Sequence, residues 1–481
     1  MSTGRFRVGR TWPASARTGC GSVARGQELA RPVNVTRSKR DHHETPLASR
    51  RRYGARAMNF GRSGFLGLLG CIFSTMSLVA CGGSTSTGVT GGDAGGATGD
   101  GGPATGGDAG PGGNDGGAYD GGSIPSGVLA VPLSACVPTV YTAQVTLGGS
   151  QQFNMLVDTG STTLGVAAKG CSCGTATPLY TPGTTAVDQK QTATSQYGSG
   201  SWSGEIYQDS VSAGTSPTAP TKIVAISTQQ NFFEPLQCDS KSGGMQGILG
   251  MGPAAAAVQG TDGFFDSYVA TNKVPDVFAT ELCDTTGTLW LGGYDPSATT
   301  AAPQYVPSSN IISAYYYAVN LASITVAGTT VTVGQGQIPE SVVDTGTSIF
   351  LLNTVSYNAL VAAIEGDAAF KAAFGAGFFP AANAQQQPCA TLSQTKAQLD
   401  ASLPALTLNF GGSPAVSVKA APTESYLVDA GGGQWCSGIV GADQSQIMLS
   451  AIMGSPVLRS NVVIFDRAQK RIGFAPHAAC N

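Results

Sequence analysis

Two aspartates lie in nearly identical surroundings in the two halves of the sequence. Asp158 lies within the segment 155–161, MLVDTGS, and Asp344 lies within the segment 341–348, SVVDTGTS. Each aspartate follows an apolar run that is typical of a strand, and each precedes a glycine that permits a tight turn. One such segment is weak evidence of a site. Two of them, 186 positions apart, form an internal repeat and predict a pair of carboxyl groups.

The residues that follow the two aspartates repeat as well. Ser161 and Thr347 place hydroxyls three positions after the aspartates, where they can bond the carboxylate or the opposing turn. Each half also has a later apolar segment that ends in glycine, at 247–250 (GILG) and at 451–454 (AIMG). The repeat therefore extends beyond the Asp-Thr-Gly segments and indicates two related halves.

Histidine is too scarce for most of the common hydrolytic sites. Two of the three histidines, His42 and His43, lie in the first 57 residues, and His477 stands alone near the C-terminus. Ser-His-Asp and Cys-His sites need a histidine base, and histidine-based zinc sites need several such ligands. We therefore expect a hydrolase on this chain to use carboxylates or a lysine, with no metal and no cofactor.

Charge is divided unevenly along the chain. Residues 1–57 contain 13 of the 26 Lys and Arg residues and 3 of the 29 Asp and Glu residues, so the remaining chain has a net charge of −13. An acidic body argues against nucleic acid as a partner, because a phosphate backbone attracts cationic surfaces.

The first 126 residues do not resemble a folded domain. The basic stretch 1–57 is interpreted as a leader outside the translated protein, with Met58 as the true start; a basic arm or a transit peptide is the alternative. Residues 58–81 have the form of an export signal, with an apolar run at 65–80 that is too short for a membrane span of about 20 residues. The run ends at Cys81 in a segment similar to a bacterial lipobox, although an ordinary signal peptide containing a cysteine would look alike.

A lipidated Cys81 would hold the protein to a membrane by several acyl chains. The Gly-rich segment 82–126 has almost nothing to bury and is predicted to be a flexible tether. We therefore expect an exported lipoprotein at the outer membrane or cell surface, with release to the exterior if the tether is cut.

From about residue 127 the sequence predicts an all-β fold. Short runs rich in Val, Ile, Thr and Tyr alternate with Gly, Pro, Ser and Asn, for example at 139–150, 153–161, 200–214 and 315–334. Helical segments are predicted only at 264–271, 354–366 and 367–374. The length suits two packed β lobes, an N-terminal lobe at 127–300 and a C-terminal lobe at 301–481.

Eight cysteines in this region suggest disulfides formed in an oxidising compartment. They are Cys136, Cys171, Cys173, Cys238, Cys283, Cys389, Cys436 and Cys480. The Cys171-Ser-Cys173 spacing also occurs in metal and redox sites. Two structural half-cystines are favoured, because no second Cys/His pair stands near them in the sequence.

These features together resemble the pepsin family of aspartic peptidases, over roughly residues 130–481. Further segments match the family pattern in order: 197–201 (YGSGS) as the flap, 288–295 (TLWLGGYD), 452–454 (IMG), 463–467 (VIFDR) and 471–475 (RIGFA). The resemblance implies a bilobal, all-β acid-protease fold with two pseudo-twofold-related lobes and a few short helices. It also implies an endopeptidase that acts on extended protein or peptide substrates as a monomer, with an acidic optimum.

The resemblance implies a role for each matching residue. Asp158 and Asp344 share one proton and activate a water without a covalent intermediate. The supporting residues of the two turns are Thr159, Gly160, Ser161, Thr345, Gly346 and Thr347, and those of the flap are Tyr197, Gly198, Ser199 and Gly200. Cys389 and Cys436 match a disulfide of the C-terminal lobe. Leu164, Phe232, Phe233 and Ile248 either line subsites or belong to the core.

The sequence departs from the family pattern at Gly165. Members often have a tryptophan there that bonds the flap tyrosine, so this bond is expected to be missing. No Lys-rich inhibitory segment precedes the body, which suggests a protein made without a zymogen. Two other functions stay open: a catalytically silent binding or inhibitor module of the same fold, and a glycosidase that uses two carboxylates across a cleft.

Overall fold

The computed structural model describes residues 124–137, 139–174, 176–198, 200–233, 244–384, 387–443, 445–478 and 480. The leader, the signal segment with Cys81 and nearly all of the Gly-rich segment lie outside the described residues, as do Ser199 and Cys238. No helix in the described part of the chain is long and apolar enough to cross a membrane.

Short β-strands dominate the described residues. In chain order they are β1 Leu129–Val137, β2 Val140–Leu147, β3 Gln151–Asp158, β4 Gly165–Ala167, β5 Val187–Gln196, β6 Ser201–Ala213, β7 Ala219–Gln230, β8 Gly247–Gly250, β9 Val277–Leu282, β10 Thr286–Leu291, β11 Gln304–Pro307, β12 Ala318–Val319, β13 Leu321–Val326, β14 Thr329–Thr332, β15 Ile338–Val343, β16 Phe350–Asn353, β17 Cys389–Thr391, β18 Leu406–Phe410, β19 Val416–Ala420, β20 Leu427–Asp429, β21 Gln434–Ser437, β22 Ile439–Ala442, β23 Leu449–Met453, β24 Asn461–Asp466 and β25 Arg471–Pro476.

Helices are few and short. The α-helices are α1 Phe264–Asn272, α2 Thr354–Gly366, α3 Ala368–Phe374, α4 Lys396–Ser402 and α5 Ser455–Leu458. Short 3₁₀ helices lie at Ala254–Ala256, Pro296–Ala298 and Pro422–Glu424. The helices predicted at 264–271, 354–366 and 367–374 match α1, α2 and α3, whereas α4 and α5 were not predicted.

The strands form a bilobal, all-β architecture of the pepsin-like type. One sheet of thirteen strands has the order β11-β25-β24-β9-β10-β1-β2-β3-β8-β4-β7-β6-β5. It therefore joins the strands near the C-terminus to those of the first half. The rest of the second half forms a sheet of order β12-β15-β23-β16-β22 and two smaller sheets, β14-β13-β18-β19 and β17-β21-β20.

The internal repeat of the sequence is also a repeat of strand pairing. β3 pairs in parallel with β8, so that Asp158 lies opposite Gly250. In the same way β15 pairs in parallel with β23, with Val343 opposite Met453. In each half a further strand, β4 or β16, runs antiparallel to the second member of the pair. Each aspartate thus lies at the end of a strand in an equivalent three-strand unit.

The strand β5 is the clearest element that the sequence did not reveal. Its residues, VDQKQTATSQ, are mostly polar and mostly exposed, and it is the last strand of the large sheet. An edge strand needs no continuous apolar face, so hydrophobic alternation does not mark it.

A packed aromatic group lies where β9 and β24 pair within the large sheet. The rings of Phe278 and Phe465 stack at 4.6 Å between centroids. The ring of Tyr317 packs on Phe465 at 4.8 Å between centroids. Its hydroxyl donates a hydrogen bond to the Met251 carbonyl at 2.7 Å. Buried aromatic contacts of this kind contribute about 0.5–1.5 kcal/mol each beyond their buried area. They fix the segment after residue 307 against the loop that follows β8.

Candidate active site

The two aspartates are placed by main-chain hydrogen bonds at the ends of their strands. The Met251 amide donates to the Asp158 carbonyl at 2.7 Å, and the Asp344 amide donates to the Met453 carbonyl at 3.0 Å. Both aspartates are almost wholly buried, with 5% and 2% of their surface exposed. The strand ends therefore hold two acidic side chains away from bulk water.

Two threonines join the turns that carry the aspartates. The Thr159 hydroxyl donates to the Val343 carbonyl at 3.0 Å, and the Thr345 hydroxyl donates to the Val157 carbonyl at 2.7 Å. Each hydroxyl also accepts from the other threonine's amide, at 3.0 and 3.2 Å. This reciprocal set of four bonds fixes one turn against the other.

Each carboxylate is oriented by the residues that follow it. Asp158 Oδ2 accepts from the Ser161 hydroxyl at 2.5 Å, and Asp344 Oδ2 accepts from the Thr347 hydroxyl at 2.5 Å. The other oxygen of each aspartate accepts from a glycine amide two residues later, at 2.8 Å in both turns. One hydroxyl and one amide thus serve each carboxylate.

The two glycines of the repeat allow the carboxyl groups to approach each other. A Cβ atom at Gly160 would lie 2.6 Å from the Asp344 carboxyl carbon, which is closer than real Cβ contacts. A Cβ atom at Gly346 would collide in the same way with Asp158. Each carboxyl group therefore lies over the backbone of the opposite turn, and glycine is required because of this close approach.

The burial and the pairing of the acids change the ionisation of Asp158. Burial is the largest cause that raises the pKa of Asp158 well above its usual value, and the negative charge of Asp344 raises it further. The hydrogen bond from Ser161 acts in the opposite direction. Two carboxyl groups this close cannot both ionise easily, so the pair retains a proton at a pH where an exposed aspartate has lost it.

A hairpin formed by β5 and β6 extends toward the pair. The amide of Tyr197 donates to the Gly200 carbonyl at 2.7 Å, which closes the tip. Gly198 is partly buried in this tip, whereas Ser199 lies outside the described residues. Tyr197 packs between Trp202, at 6.1 Å between ring centroids, and Phe232, at 5.1 Å.

The Tyr197 hydroxyl is buried and makes no hydrogen bond of ordinary geometry with a described residue. Burial raises the pKa of Tyr197 to about 12, with Asp158 as the second cause, whereas Ser195, Ser161 and Trp202 lower it. The indole N–H of Trp202 is also buried without a hydrogen-bond partner among the described residues. Two polar groups at the base of the flap are therefore near each other and near the Asp158 turn, but they are not paired.

The space that the missing tryptophan would occupy is filled from the flap strand. A Cβ atom at Gly165 would lie 3.2 Å from the Ile226 side chain and 3.4 Å from the Trp202 ring. Trp202 itself is only 1% exposed. The flap tyrosine therefore does have a tryptophan neighbour, although it comes from β6. Trp202 was not predicted from the sequence, although its position five residues after Tyr197 was the available signal.

The apolar residues considered for the subsites divide into two groups. Leu164 belongs to the main core and is 0% exposed. Phe232, Phe233 and Ile248 instead cluster with Trp202 beneath the flap, where Phe232 contacts Tyr197.

Among the described residues, one group of potential metal ligands comes together, namely Glu281, His477 and Cys480. Cys480 is bonded to Cys283, so its sulfur is not available as a thiolate ligand. The structure also joins Cys389 to Cys436, and it joins Cys171 to Cys173 directly. The Cys-Ser-Cys segment is thus a disulfide within a three-residue loop.

Two buried carboxyl groups on twofold-related turns, with a hairpin above them, define an aspartic peptidase. The sequence profile of the family named Eukaryotic aspartyl protease matches residues 140–477. The chain belongs to this family, and it is an aspartic endopeptidase that acts on peptide substrates.

Similar proteins support the same conclusion. An aspartic protease of Phaffia rhodozyma is 28% identical over 341 residues, covering 70% of this chain and 76% of the relative. Cathepsin E of Rattus norvegicus is 29% identical over 360 residues, covering 72% and 82%. Cathepsin E of Aquarana catesbeiana is 28% identical over 358 residues, covering 72% and 81%.

Proposed function

We propose that Asp158 and Asp344 are the catalytic pair of this endopeptidase. The observation that carries the proposal is the approach of each carboxyl group over the glycine of the opposite turn. Such a pair holds one proton between two oxygens and leaves one carboxylate ionised, which supplies an acid and a base at one place.

The geometry supports a direct attack by water. The ionised member of the pair removes a proton from a water that lies between the carboxyl groups, while the protonated member donates to the oxygen of the scissile carbonyl. The water oxygen forms the new bond to carbon, giving a tetrahedral gem-diol, and collapse of the gem-diol expels the amine with a proton. Ser161 and Thr347 hold the outer oxygens, so that the inner oxygens face the water.

The flap residues Tyr197, Gly198, Ser199 and Gly200 are proposed to close over an extended substrate. Closure excludes water and strengthens electrostatic interactions at the pair. Tyr197 and Trp202 support this role, because their rings lie 6.1 Å apart at the base of the flap and the polar group of each is buried without a hydrogen-bond partner of ordinary geometry among the described residues.

The experiment is cleavage of an unfolded protein between about pH 2 and 7 by the enzyme and by its Asp158→Asn and Asp344→Asn variants. We expect cleavage by the wild type, suppression by a statine-type transition-state mimic, and a loss on the order of 10³-fold or more in each variant. Folded wild-type protein without activity at any pH would instead favour the binding module.

We further propose that the protein is exported and lipidated at Cys81. The support is the sequence alone: an apolar run at 65–80, a small residue before the cysteine, and the Gly-rich segment 82–126 as a spacer to the enzyme. Labelled fatty acid should enter the wild type and not Cys81→Ser, which should be released from membranes. Equal labelling of both proteins would contradict the proposal.

The enzyme body is proposed to act as a monomer with lobes at 127–300 and 301–481. The single site formed by two halves of one chain supports this, since no second copy is needed to bring the two aspartates together. Sedimentation of the exported protein should give the mass of one chain, and a dimer that is required for activity would contradict the proposal.

A further inference from the structure

The side chain of Gln229 joins two segments that are far apart in the sequence. Gln229 is the last but one residue of β7, and its Oε1 accepts a hydrogen bond from the Phe232 amide at 2.9 Å. Its Nε2 donates to the Ser172 carbonyl at 3.2 Å. A carboxamide can make both bonds because it carries a donor and an acceptor. Gln229 therefore connects the segment 230–233 to the segment 171–173.

The segment 230–233, which we call the flap platform, lies against the backbone of the flap tip. Ser201 of the flap pairs with Gln230 in the ladder between β6 and β7. A Cβ atom at Gly200 would lie 2.3 Å from the Gln230 carbonyl oxygen and 2.5 Å from the Asn231 carbonyl carbon. The flap tip is thus in direct contact with the flap platform, and this close approach requires glycine at position 200.

The flap platform also contacts the flap tyrosine. The ring of Phe232 lies 5.1 Å from the ring of Tyr197 between centroids, and Phe232 is 2% exposed. The amide that Gln229 binds therefore belongs to the residue whose ring packs on Tyr197. Because interiors are closely packed, a shift of this amide would displace a side chain against which the flap lies.

The segment 171–173 is a closed loop that is attached to the end of β4. The Cys171–Cys173 disulfide spans Ser172, and the Cys171 amide donates to the Ala168 carbonyl at 3.0 Å. A disulfide across so short a loop restricts the unfolded chain less than one across a long loop, so its main effect is local. Here the local effect is to fix the Ser172 carbonyl, which is the group that Gln229 binds.

We propose that Gln229 is a positioning residue that couples the Cys171–Cys173 loop to the flap platform and thereby holds the flap in position over the substrate. The inference rests on the proposed function of the aspartate pair and its flap. It assigns control of the flap to a side chain that lies outside the flap tip and outside both Asp-Thr-Gly turns.

The test compares peptide cleavage by the full chain and by its Gln229→Met variant, which keeps the length of the side chain and removes both hydrogen-bonding groups. Titration with a statine-type inhibitor first counts the active molecules, so that unfolded protein does not affect the result. We expect kcat/KM per active site to fall by about tenfold, mainly through a higher KM, because a displaced flap binds the substrate less well. A purely structural role would lower the active fraction and leave KM unchanged.

Gln229→Glu separates the two hydrogen bonds by pH. A protonated carboxyl group has a donor and an acceptor, as glutamine does, whereas the ionised carboxylate can only accept. The KM of this variant should therefore match that of the wild type at about pH 3 and exceed it by about threefold or more at about pH 6, on either side of the ordinary pKa of a glutamate. Gln229→Met should have a raised KM at both pH values.

Gln151→Met is the matched control. Gln151 also bonds one amide and one carbonyl with its carboxamide, both of them from Thr181, at 3.0 and 2.9 Å. Thr181 belongs to neither the flap nor the flap platform. This variant should lose a similar degree of stability and keep the wild-type KM.

A double-mutant cycle tests the coupling to the disulfide. In a chain that carries Cys171→Ser and Cys173→Ser, the Ser172 carbonyl is no longer fixed by a closed loop. Gln229→Met should then raise KM by about threefold or less, because residues that act through one connection do not have additive effects.

An unchanged KM in Gln229→Met overturns the inference. If that variant fails to fold, a Gln229→Glu variant whose KM differs from the wild type by the same factor at both pH values overturns it as well. Additive effects in the cycle would show that the loop and Gln229 act independently, which also contradicts the proposal. Failure of the proposed function looks different, because the wild type would then show no cleavage that depends on Asp158.

Discussion

Two regions of the molecule bury acidic side chains, and the pKa shifts of these side chains have opposite directions. At the aspartate pair, Asp158 faces a second acid, and burial followed by Asp344 raises its pKa well above the usual value. At the opposite extreme is Glu424, which is 8% exposed and has its pKa lowered to about 2. Both side chains are inside the protein, so burial alone does not decide their charge.

The surroundings of Glu424 contain basic side chains, whereas no Lys, Arg or His of the described residues forms an ion pair with Asp158 or Asp344. Burial alone would raise its pKa, but His477, with Nε2 at 3.8 Å, and Lys396, with Nζ at 2.7 Å, reverse the direction. The Ser460 hydroxyl adds a hydrogen bond at 2.9 Å. Lys396 also reaches Asp284, which pairs with the buried Arg459. The region is a network of opposite charges beside the Cys283–Cys480 disulfide.

The comparison separates what a buried acid contributes to function from what it contributes to stability. An acid buried beside a cation stays ionised, and its pairing stabilises the fold above its ordinary pKa. An acid buried beside another acid keeps a proton that can be transferred, and this arrangement destabilises the fold as the pH rises. The neighbours decide which of the two results.

The largest effect is expected for Asp158→Asn, which removes the carboxyl group with the raised pKa. Activity should fall on the order of 10³-fold or more. Stability should change in the other direction. The folded wild type holds its proton to a higher pH than the unfolded chain, so it loses stability as the pH rises from about 4 through the raised pKa.

Asparagine does not ionise, so the Asp158→Asn variant should not lose stability in this way. Thermal melts should show the variant more stable than the wild type at pH 7 and equal to it below about pH 4. A variant less stable than the wild type across the whole range would show that Asp158 is not under electrostatic strain.

Glu424→Gln should have the reverse dependence. The folded pKa of about 2 lies below the usual value of 4.5, so the wild type has extra stability above about pH 4.5 that is lost as the pH falls toward 2. We expect the variant to be less stable by about 3 kcal/mol at pH 6, with the difference shrinking below pH 4. Chemical denaturation at several pH values measures this.

Glu205→Gln is the control for that experiment, because the exposed Glu205 carboxylate accepts one hydrogen bond from a described residue, the Tyr207 hydroxyl at 3.0 Å. It should change stability by less than about 0.5 kcal/mol. If Glu424→Gln changed stability as little as this control, the charge network around Glu424 would not contribute to the free energy of unfolding.

Ser161→Ala tests the hydrogen bond that opposes the raised pKa of Asp158. The Ser161 hydroxyl lowers the pKa of Asp158, so its loss should raise the pH at which the pair gives up its shared proton. The basic limb of the pH–rate profile should move to higher pH, and kcat should fall by about tenfold. Ser203→Ala is the control, since Ser203 bonds Thr228 on the exposed face of the flap strand. A basic limb that stays in place would contradict the role of the hydrogen bond.

The smallest effect is expected for Trp202→Phe, which keeps a buried ring and removes the indole N–H. If the indole N–H takes part in flap closure beside the Tyr197 hydroxyl, its loss should lower kcat/KM by about threefold to tenfold with little change in the melting temperature. Trp435→Phe is the matched control, because its indole N–H is also buried without a partner among the described residues, in a strand of another sheet. Equal kinetics in the two variants would remove Trp202 from the flap mechanism.

The fold class and the two aspartates of the pair could be predicted from the amino-acid sequence. The repeated Asp-Thr-Gly turns after apolar strands, the short β runs and the absence of a histidine base left few other types of chemistry. These features depend on residues that are neighbours in the sequence or on a repeated segment, so they can be recognised without the structure. The helices α1 to α3 were found for the same reason, whereas the polar edge strand β5 has no apolar period to reveal it.

The contacts among these residues could not be predicted from the sequence and are visible only in the folded protein. Gly165 was read as the loss of a tryptophan, but Trp202 fills the same space from another strand. Glu340 and Glu424 look alike in the sequence, yet one bonds two amides of a loop and the other meets Lys396 and His477. The pKa of a buried acid depends on neighbours that lie far away along the chain, and that information exists only once the chain has folded.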